Sequence, residues 1–155
     1  MITYKIYSPS MQPALETCFK ACIEALGWAY QPDGRHSDIV NIENTYIRHG
    51  CFWCLFEDDE LIGTVAARCL DSDNGIAELK RLYILPEYQG KGYGELLFGL
   101  AIAYTKDQGY KIIRADTRYD RAASLHLIDK HRFRRIEQYN DNEFAELYFE
   151  LDLTK

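Results

Sequence analysis

The sequence predicts a single domain of the α/β (α+β) class that includes all residues from 1 to 155. Strand-like and helical segments alternate in the order β-α-α-β-β-β-α-β-α-β-β, and no repeat, linker or low-complexity stretch interrupts them. The composition, 47% hydrophobic and 14% aromatic, is sufficient for a sizeable core in a chain of this length. One sheet with several helices is therefore expected.

The first half of the chain predicts a strand, two helices and a three-stranded meander. In order, the elements are a strand at 3–7, a helix at 11–26, a polar loop at 28–37, a helix from 38 to about 48, and strands at 51–57, 61–70 and 76–85. Gly27 is the expected end of the first helix, and Asp38 is placed to cap the second. Turns with acidic residues, Asn and Gly separate the strands.

The second half predicts two more helices and three more strands. In order, these are a helix at 93–108, a strand at 111–117, a helix at 120–131, and strands at 133–139 and 145–153. Gly109 is the expected end of the long helix. The last two strands are expected to pair around the turn Asn140-Asp141-Asn142.

The most informative segment joins the third meander strand to the long helix. Residues 82–94 read L-Y-I-L-P-E-Y-Q-G-K-G-Y-G, with glycines at alternate positions before and within the first helical turn. Glycines allow a ligand to approach the main chain closely, and the N–H groups of a helix start bind phosphate well. The dinucleotide fingerprint fails because Glu95 stands where it needs glycine, and the P-loop fails because Gly92 follows Gly90-Lys91. A phosphate-bearing cofactor of another kind is expected.

A third phosphate pattern, Q-x-x-G-x-G, does fit at Gln89, Gly92 and Gly94, with Pro86 three residues before the glutamine. With its flanking residues (78–94), this segment resembles motif A of the GCN5-related N-acetyltransferase (GNAT) superfamily. The order of elements resembles that fold over essentially the whole chain. The resemblance implies a mixed, mostly antiparallel twisted sheet of about seven strands with about four flanking helices, splayed between the fourth and fifth strands. It also implies acetyl-CoA as the co-substrate.

The same resemblance assigns contacts to the co-substrate. Main-chain groups of the strand before motif A would bind the pantetheine arm and polarise the thioester oxygen; by position these are Leu82, Tyr83 and Ile84. The turn and helix start would bind the pyrophosphate with Gln89, Gly90, Lys91, Gly92, Tyr93, Gly94 and Glu95. Lys91 would add a point charge. Arg121 and Ser124 share one face of the last helix and are further candidates, although a surface salt bridge is an equal alternative for Arg121.

Glu78 is the candidate general base. It lies 11 residues before Gln89, the spacing of the catalytic glutamate in GCN5-type histone acetyltransferases. A partly desolvated carboxylate is a suitable proton acceptor for an amine. The alternatives are a strand glutamate that faces solvent or pairs with Lys80 or Arg81, and an amine that loses its proton through ordered water.

The last helix departs from the family pattern N-x-x-A-x-x-L-Y-x-x-x-G-F. Here Arg121, Ser124, Ile128 and Arg132 replace the asparagine, alanine, tyrosine and glycine. That tyrosine is the usual proposed acid for the coenzyme A thiolate, and isoleucine has no proton to give. The possible substitutes are Tyr119, Tyr139 and His126, and the sequence does not choose among them.

The resemblance places the acceptor pocket around the first two helices. There the loop carries Trp28, Tyr30, Arg35 and His36 beside Asp33 and Asp38. Aromatic rings with carboxylates suit an ammonium group, and Arg35 with His36 suits a carboxylate, so an amino-acid-like or peptide-like amine fits both. The alternative is a structural loop with a capping Asp38.

Charge and cysteine content limit the other classes of function. Residues 78–135 contain 12 Lys/Arg and 7 Asp/Glu, whereas the remainder contains 6 and 17, so the basic part carries the phosphate turn. No basic stripe with interleaved aromatics indicates nucleic-acid binding, and no apolar run predicts a membrane span or a secretory signal. Five irregularly spaced cysteines predict reduced thiols in a cytoplasmic protein. Cys51 and Cys54 fall on opposite faces of a strand, and no metal site is expected.

The sequence therefore predicts an N-acetyltransferase that transfers the acetyl group of acetyl-CoA to a primary amine of a small molecule, amino acid or peptide. Direct attack in a ternary complex is the expected mechanism. Two alternatives remain open: a non-catalytic acyl-CoA-binding sensor or partner module, and a transferase that uses another acyl-CoA. The expected assembly is a monomer or a homodimer.

Overall fold

A computed structural model of the protein describes residues 1–155. Its helices are α1 (Gln12–Ala25), α2 (Ile42–Thr45), α3 (Tyr93–Asp107) and α4 (Ala122–Lys130). Its strands are β1 (Ile2–Ile6), β2 (Gly50–Glu57), β3 (Glu60–Asp71), β4 (Ile76–Ile84), β5 (Ile112–Thr117), β6 (Arg134–Ile136) and β7 (Leu147–Asp152). Short 3₁₀ turns lie at Pro9–Met11, Ile47–His49 and Pro86–Tyr88.

The seven strands form one mixed sheet in the order β1-β2-β3-β4-β5-β7-β6. Strands β4 and β5 are parallel and pair from Ile76–Ile112 to Glu78–Arg114. Pairs β1–β2, β2–β3, β5–β7 and β6–β7 are antiparallel. The prediction of a mixed sheet of about seven strands with four helices is confirmed.

The chain divides into two compact units, and β4 contributes to both. The first unit comprises residues 1–68 and 80–101, and the second comprises residues 69–79 and 102–155. Each unit is described separately below. That the whole chain folds as one domain stays a prediction from the sequence.

In the first unit, helix α1 buries a single apolar face. Its buried residues are Leu15, Cys18, Phe19, Cys22 and Ile23, which is the spacing of one helix face. The Phe19 ring meets the Tyr83 ring edge-on, with 5.1 Å between the centroids. The aromatic core continues through Tyr46 and Phe52, whose centroids lie 5.4 Å apart.

The predicted second helix is much shorter than expected. Instead of a helix from 38 to about 48, the structure has the single turn α2 and the 3₁₀ turn at Ile47–His49. Asp38 does not cap a helix, because its carboxylate accepts hydrogen bonds from the Arg81 guanidinium and the Tyr46 hydroxyl. Asn41 occupies the N-cap position of α2 without a capping side-chain bond. A long-range ion pair thus replaces the local cap.

In the second unit, the predicted pairing of the last two strands is real but covers fewer residues. Strand β6 pairs with β7 over three positions, from Arg134–Glu150 to Ile136–Tyr148. Residues 137–146 are irregular, where strand was expected up to 139 and again from 145. The reason is that side chains of this segment bind carboxylates on β4 and β5.

Three helices end in the same backbone conformation, but with different residues. Helices α1 and α3 end at the predicted glycines, Gly27 with a φ of 83° and Gly109 with a φ of 88°. In α4 the equivalent residue is Arg132, with a φ of 62°. The following amide, that of Phe133, donates to the Ile128 carbonyl at 3.0 Å, as expected for this type of helix end. A side chain in this conformation is strained relative to glycine.

The remaining predictions concern thiols and membranes. None of the five cysteines forms a disulfide, and four of them are buried, including Cys51 and Cys54. None of the helices combines the length and the apolar character that a membrane span requires.

Replacing Arg132 by glycine should stabilise the protein. Relief of the left-handed strain exceeds the extra chain entropy of glycine, so Arg132→Gly is expected to raise the free energy of unfolding by about 0.5–1 kcal/mol. Urea denaturation of parent and variant measures the difference.

The matched control is Arg135→Gly, which removes the same exposed side chain at a residue without positive φ in β6. It should destabilise the protein, because glycine weakens a strand. An Arg132→Gly variant that is less stable than the parent would contradict the strain at residue 132.

Candidate functional site

The turn before α3 has the backbone needed to face an anion. Gly90 and Gly92 have φ values of 79° and 86°, a region that other residues enter only with strain. Helix α3 begins directly afterwards at Tyr93, and the Leu96 amide donates to the Gly92 carbonyl at 3.1 Å. A Cβ atom added at Gly90 or Gly92 would have no heavy atom within 4 Å. The main chain of the turn therefore borders open space at a helix N-terminus.

Neighbouring side chains fix the position of this turn. The Gln89 amide donates to the Ile84 carbonyl at 3.0 Å, which connects the turn to the end of β4. The Lys91 ammonium lies 5.4 Å from the centre of the Tyr88 ring, and the Tyr88 hydroxyl donates to Glu60 at 2.8 Å. An exposed cation consequently stands beside the helix start, where a phosphate would bind.

Strand β3 approaches the end of β4 very closely at Gly63. A Cβ atom at this position would lie 2.9 Å from the Tyr83 carbonyl oxygen and 2.7 Å from a methyl carbon of Ile84. The next contact along the pair is the Leu85 amide, which donates to the Ile62 carbonyl at 2.8 Å. Glycine at 63 therefore determines where the main chain of residues 82–84 lies in the first unit.

In the second unit, Glu78 is completely buried and hydrogen bonded. Its Oε2 atom accepts from the Tyr139 hydroxyl at 2.7 Å and from the Asn140 amide nitrogen at 3.1 Å. The same Asn140 nitrogen donates to Asp116 Oδ2 at 2.7 Å, and the Asn142 amide donates to that oxygen at 3.3 Å. One neutral amide thus joins two carboxylates.

A second layer of charges surrounds this cluster. The Arg114 guanidinium lies 5.3 Å from the centre of the Tyr139 ring, and its Nε atom donates to Glu150 at 3.0 Å. Arg134 also donates to the Glu150 carboxylate. Burial, together with the charges of Glu78 and Asp116, raises the pKa of the Tyr139 hydroxyl well above its usual value. Tyr139 therefore keeps its proton and directs it at Glu78.

The three proposed substitutes for the missing tyrosine lie in different environments. Ile128 is buried in α4, whereas Tyr119 is 63% exposed and His126 is exposed. The Tyr119 hydroxyl accepts a long bond, 3.5 Å, from Arg135. Only Tyr139 contacts the candidate base, and it does so as a hydrogen-bond donor.

The two further cofactor candidates lie at the start of α4. Arg121 occupies the N-cap position, and its carbonyl accepts from the Leu125 amide at 3.0 Å. Ser124 is half-buried in the first turn. Both belong to the second unit, and their role toward a cofactor stays a prediction.

The predicted acceptor residues form a packed loop. His36 is fully buried and stacks on the Tyr30 ring with 5.7 Å between centroids, while the Tyr30 hydroxyl donates to Glu16 at 3.0 Å. The Arg35 guanidinium lies 5.3 Å from the centre of the Trp28 ring. These contacts favour the structural alternative for Tyr30 and His36, and their role in acceptor binding stays a prediction.

A buried ion pair connects this loop to β4. Arg81 donates to both Asp38 oxygens at 2.9 Å and to the Arg35 carbonyl at 3.0 Å. Burial opposes ionisation of Asp38, but the bonds from Arg81 outweigh it, so the pKa of the carboxyl is lowered. Arg81 itself has a left-handed φ of 56°, and its carbonyl accepts from Thr64 Oγ1 at 2.8 Å. The sequence left open an ion pair between Arg81 and Glu78. The carboxylate that the Arg81 guanidinium binds in the first unit is that of Asp38.

The two ring nitrogens of His36 differ in their hydrogen bonding. Nδ1 accepts from the Gln31 amide at 2.9 Å, and Nε2 has no hydrogen-bond partner. Burial, reinforced by the charges of Arg81 and Arg35, lowers the pKa of His36 from 6.5 to about 4. The imidazole is therefore neutral at physiological pH.

Comparison with known proteins identifies a family and a fold. The model of the acetyltransferase (GNAT) family matches residues 10–133, which is more than half of the chain. An acetyltransferase of the GNAT family from Staphylococcus aureus has a TM-score of 0.89 at 20% identity, with 99% of both chains covered. The Salmonella typhimurium protein yncA, solved with its cofactor acetyl-CoA, has a TM-score of 0.74 at 18% identity and covers 98% of this chain and 94% of its own. At these identities the similarity of structures shows the fold.

Among curated proteins, the zebrafish (Danio rerio) N-acetylaspartate synthetase is 28% identical over 108 residues. The alignment covers 68% of this chain but only 38% of that protein. The relative is therefore a considerably longer protein, of which this chain matches little more than a third.

His36 should make the protein less stable in acid. Its folded-state pKa of about 4 lies below the unfolded value of 6.5, so the unfolded state binds more protons between these values. Its contribution to stability is complete above pH 6.5 and is lost as the pH falls toward 4. Between pH 7 and pH 4.5, the parent is expected to lose about 2 kcal/mol more unfolding free energy than a His36→Phe variant.

Chemical denaturation at both pH values measures this difference. His126→Gln, at an exposed histidine of α4, is the control and should lose as much stability as the parent. Equal acid losses in the parent and in His36→Phe would contradict a neutral, buried His36.

Proposed function

Because the chain belongs to the acetyltransferase (GNAT) family, we propose that it transfers the acetyl group of acetyl-CoA to a primary amine of a small molecule, amino acid or peptide. The observation that carries this proposal is the turn at residues 89–95. Two glycines with positive φ present its main chain at the N-terminus of a 15-residue helix, beside the cation of Lys91. This is the arrangement that binds phosphate groups.

Acetyl-CoA is the co-substrate, and it supplies a thioester whose acetyl carbon is open to attack by an amine. The N–H groups at the start of α3 would bind the pyrophosphate, and Lys91 would add a charge. Main-chain groups of residues 82–84 would bind the pantetheine arm. Their position depends on the close approach of β3 at Gly63.

Glu78 is the proposed proton acceptor for the amine. In the transfer, the amine nitrogen bonds to the acetyl carbon, the carbon–sulfur bond breaks, and the amine proton passes to the Glu78 carboxylate. The hydrogen bonds from Tyr139 and Asn140 stabilise this carboxylate in its buried position. Glu78 precedes Leu82 by four residues on the same strand, β4.

The proton for the departing thiolate has a less specific source. Ile128 cannot donate one, and the Tyr139 hydroxyl is directed at Glu78. Coenzyme A thiolate is a good leaving group at neutral pH, so we propose that it takes its proton from solvent. This proposal predicts that no single residue of α4 is essential as an acid.

The acceptor is proposed to be an amino acid or an amino-acid-like amine. The support comes from the relatives, because several proteins similar to this chain are N-acetylaspartate synthetases. They are longer proteins, so L-aspartate is the first acceptor to test rather than an assigned substrate. A panel of the twenty amino acids, short peptides and polyamines covers the proposed class.

Blocking the turn should abolish binding of acetyl-CoA. A Gly92→Trp side chain would occupy open space beside the turn and would strain its positive-φ backbone, so isothermal titration calorimetry is expected to show at least a hundredfold weaker binding.

Gly99→Ala is the control for this experiment. Gly99 lies within α3 without positive φ, and an added Cβ meets no heavy atom within 4 Å. This variant should bind acetyl-CoA like the parent. A folded Gly92→Trp protein with parental affinity would refute the phosphate site.

Neutralising the proposed base should slow turnover without weakening the binding of acetyl-CoA. We expect Glu78→Gln to lower kcat/KM by 10²–10⁴-fold in a thiol-release assay with the best amine of the panel, because general-base catalysis has this magnitude. Glu137→Gln, an exposed glutamate of the second unit, is the control.

Two results would contradict the enzyme as proposed. Parental turnover in Glu78→Gln would assign proton removal to water. Tight acetyl-CoA binding without thiol release from any amine would favour the non-catalytic acyl-CoA-binding module, which the buried Ile128 also allows.

A further inference from the structure

The segment between β6 and β7, residues 137–146, is organised by its own side-chain amides. Asn140 Oδ1 accepts from the Asn142 main-chain amide at 3.1 Å, and Asn142 Oδ1 accepts from the Phe144 amide at 3.1 Å. Gln138 donates to the Asn140 carbonyl at 2.8 Å. The oxygen ends of both asparagine side chains thus shape the segment itself.

The nitrogen ends of the same side chains point to two carboxylates on the sheet. The Asn140 nitrogen donates to Glu78 and Asp116, and the Asn142 nitrogen donates to Asp116. Tyr139 adds a short bond of 2.7 Å to the Glu78 oxygen that Asn140 also contacts. Four hydrogen bonds from three residues of an irregular segment therefore converge on neighbouring strands.

The hydrogen bonds from this segment meet a physical requirement of the carboxylates. A fully buried carboxylate is costly without hydrogen bonds, whereas its protonated form needs fewer of them. Donors from Tyr139 and Asn140 favour the charged form and fix one orientation of Glu78. Both donors are neutral, so they do not compete with an ammonium group for the role of counter-ion.

We propose that Tyr139 and Asn140 are positioning residues, which hold the buried Glu78 carboxylate in the orientation and charge state that accept the amine proton. The inference rests on the proposed function. It assigns preparation of the base to the segment 137–146 rather than to strand β4 alone. It also gives Tyr139 a task other than that of the acid suggested by the sequence.

The charged and titratable groups around Glu78 come from β5, β7 and the segment itself. Arg114 and Asp116 face it from β5, and Tyr139 faces it from the segment itself. Tyr148 and Glu150 lie on β7, where the Tyr148 ring meets the Tyr139 ring edge-on at 5.7 Å and Glu150 binds Arg114. A change in pH response is assigned to Glu78 only if Glu78→Gln removes it.

Two hydroxyl deletions give a matched test. Tyr139→Phe removes the donor to Glu78, whereas Tyr148→Phe removes a hydroxyl of the neighbouring ring, which donates to the Asn142 carbonyl at 3.4 Å. In protein labelled with ¹³C at the glutamate carboxyl carbons, the Glu78 signal is identified by its loss in Glu78→Gln. At neutral pH we expect this signal to move in Tyr139→Phe, because the carboxylate loses a hydrogen bond, and to stay unchanged in Tyr148→Phe.

Asn140→Asp is the second variant, because it replaces the shared donor by a third carboxylate of the same shape. It should move the Glu78 carboxyl signal further than Tyr139→Phe does, because a like charge replaces a hydrogen-bond donor. If the signal stays at the parental position in folded Tyr139→Phe and in folded Asn140→Asp, the proposal is overturned.

The activity arm uses the best amine of the panel at saturating acetyl-CoA. The acidic limb of the kcat/KM profile should move to higher pH in Tyr139→Phe, with little change in Tyr148→Phe. A shifted carboxyl signal with an unshifted limb would overturn the positioning role and leave the hydrogen bonds in place. A parent protein with no turnover would overturn the proposed function and the positioning role with it, and the carboxyl signal separates that result from a failure of the hydrogen-bond network.

Discussion

The ion pair between Arg81 and Asp38 is the contact on which the first compact unit most depends. Arg81 lies in β4 with a left-handed backbone, a conformation that costs about 1 kcal/mol or more and persists only where other contacts determine it. Its guanidinium binds both oxygens of Asp38 and the Arg35 carbonyl, and it lies over the Phe19 ring. Tyr46 adds a bond to Asp38. One buried pair therefore connects β4, helix α1, the loop after it and the turn after α2, and loss of either charge would leave the other unpaired.

Local signals in the sequence were sufficient for most of the fold. The glycines at 27 and 109 mark helix ends because the left-handed backbone there favours glycine over any other residue. The spacing of residues 15, 18, 19, 22 and 23 predicts the buried face of α1. The prediction of a second helix from 38 to about 48 was wrong, because a contact between distant residues decides the structure there. Asp38 has the chemistry of a cap, but its partner Arg81 lies 43 residues away, and no local pattern records that distance.

In the candidate site, too, the features that are local in sequence could be predicted and those that depend on distant residues could not. The phosphate turn is contiguous in sequence, so its glycines and its helix start could be predicted together. The environment of Glu78 could not, because Asn140 and Asp116 are ordinary polar residues in a turn and a strand until the fold brings them together. The sequence offers Tyr139 only as one of several possible acids, since it shows that a hydroxyl exists but not which atom that hydroxyl faces. Only residue type indicates an acceptor role for the loop, and residue type does not distinguish a ring that binds a ligand from one that packs in a core.

The separation of Glu78 from its hydrogen-bond donors also has a consequence for how the protein is made. The donors follow it by 61 and 62 residues, whereas the phosphate turn and its helix occupy a single stretch of chain. On the ribosome, the contacts of the turn become available as soon as residues 84–107 have emerged. The hydrogen bonds to Glu78 become available only after residues 139 and 140 have emerged, and contacts of such long sequence separation form late in folding. A nascent or truncated chain that ends before residue 139 carries the complete sequence of the phosphate turn but lacks both of these donors to Glu78.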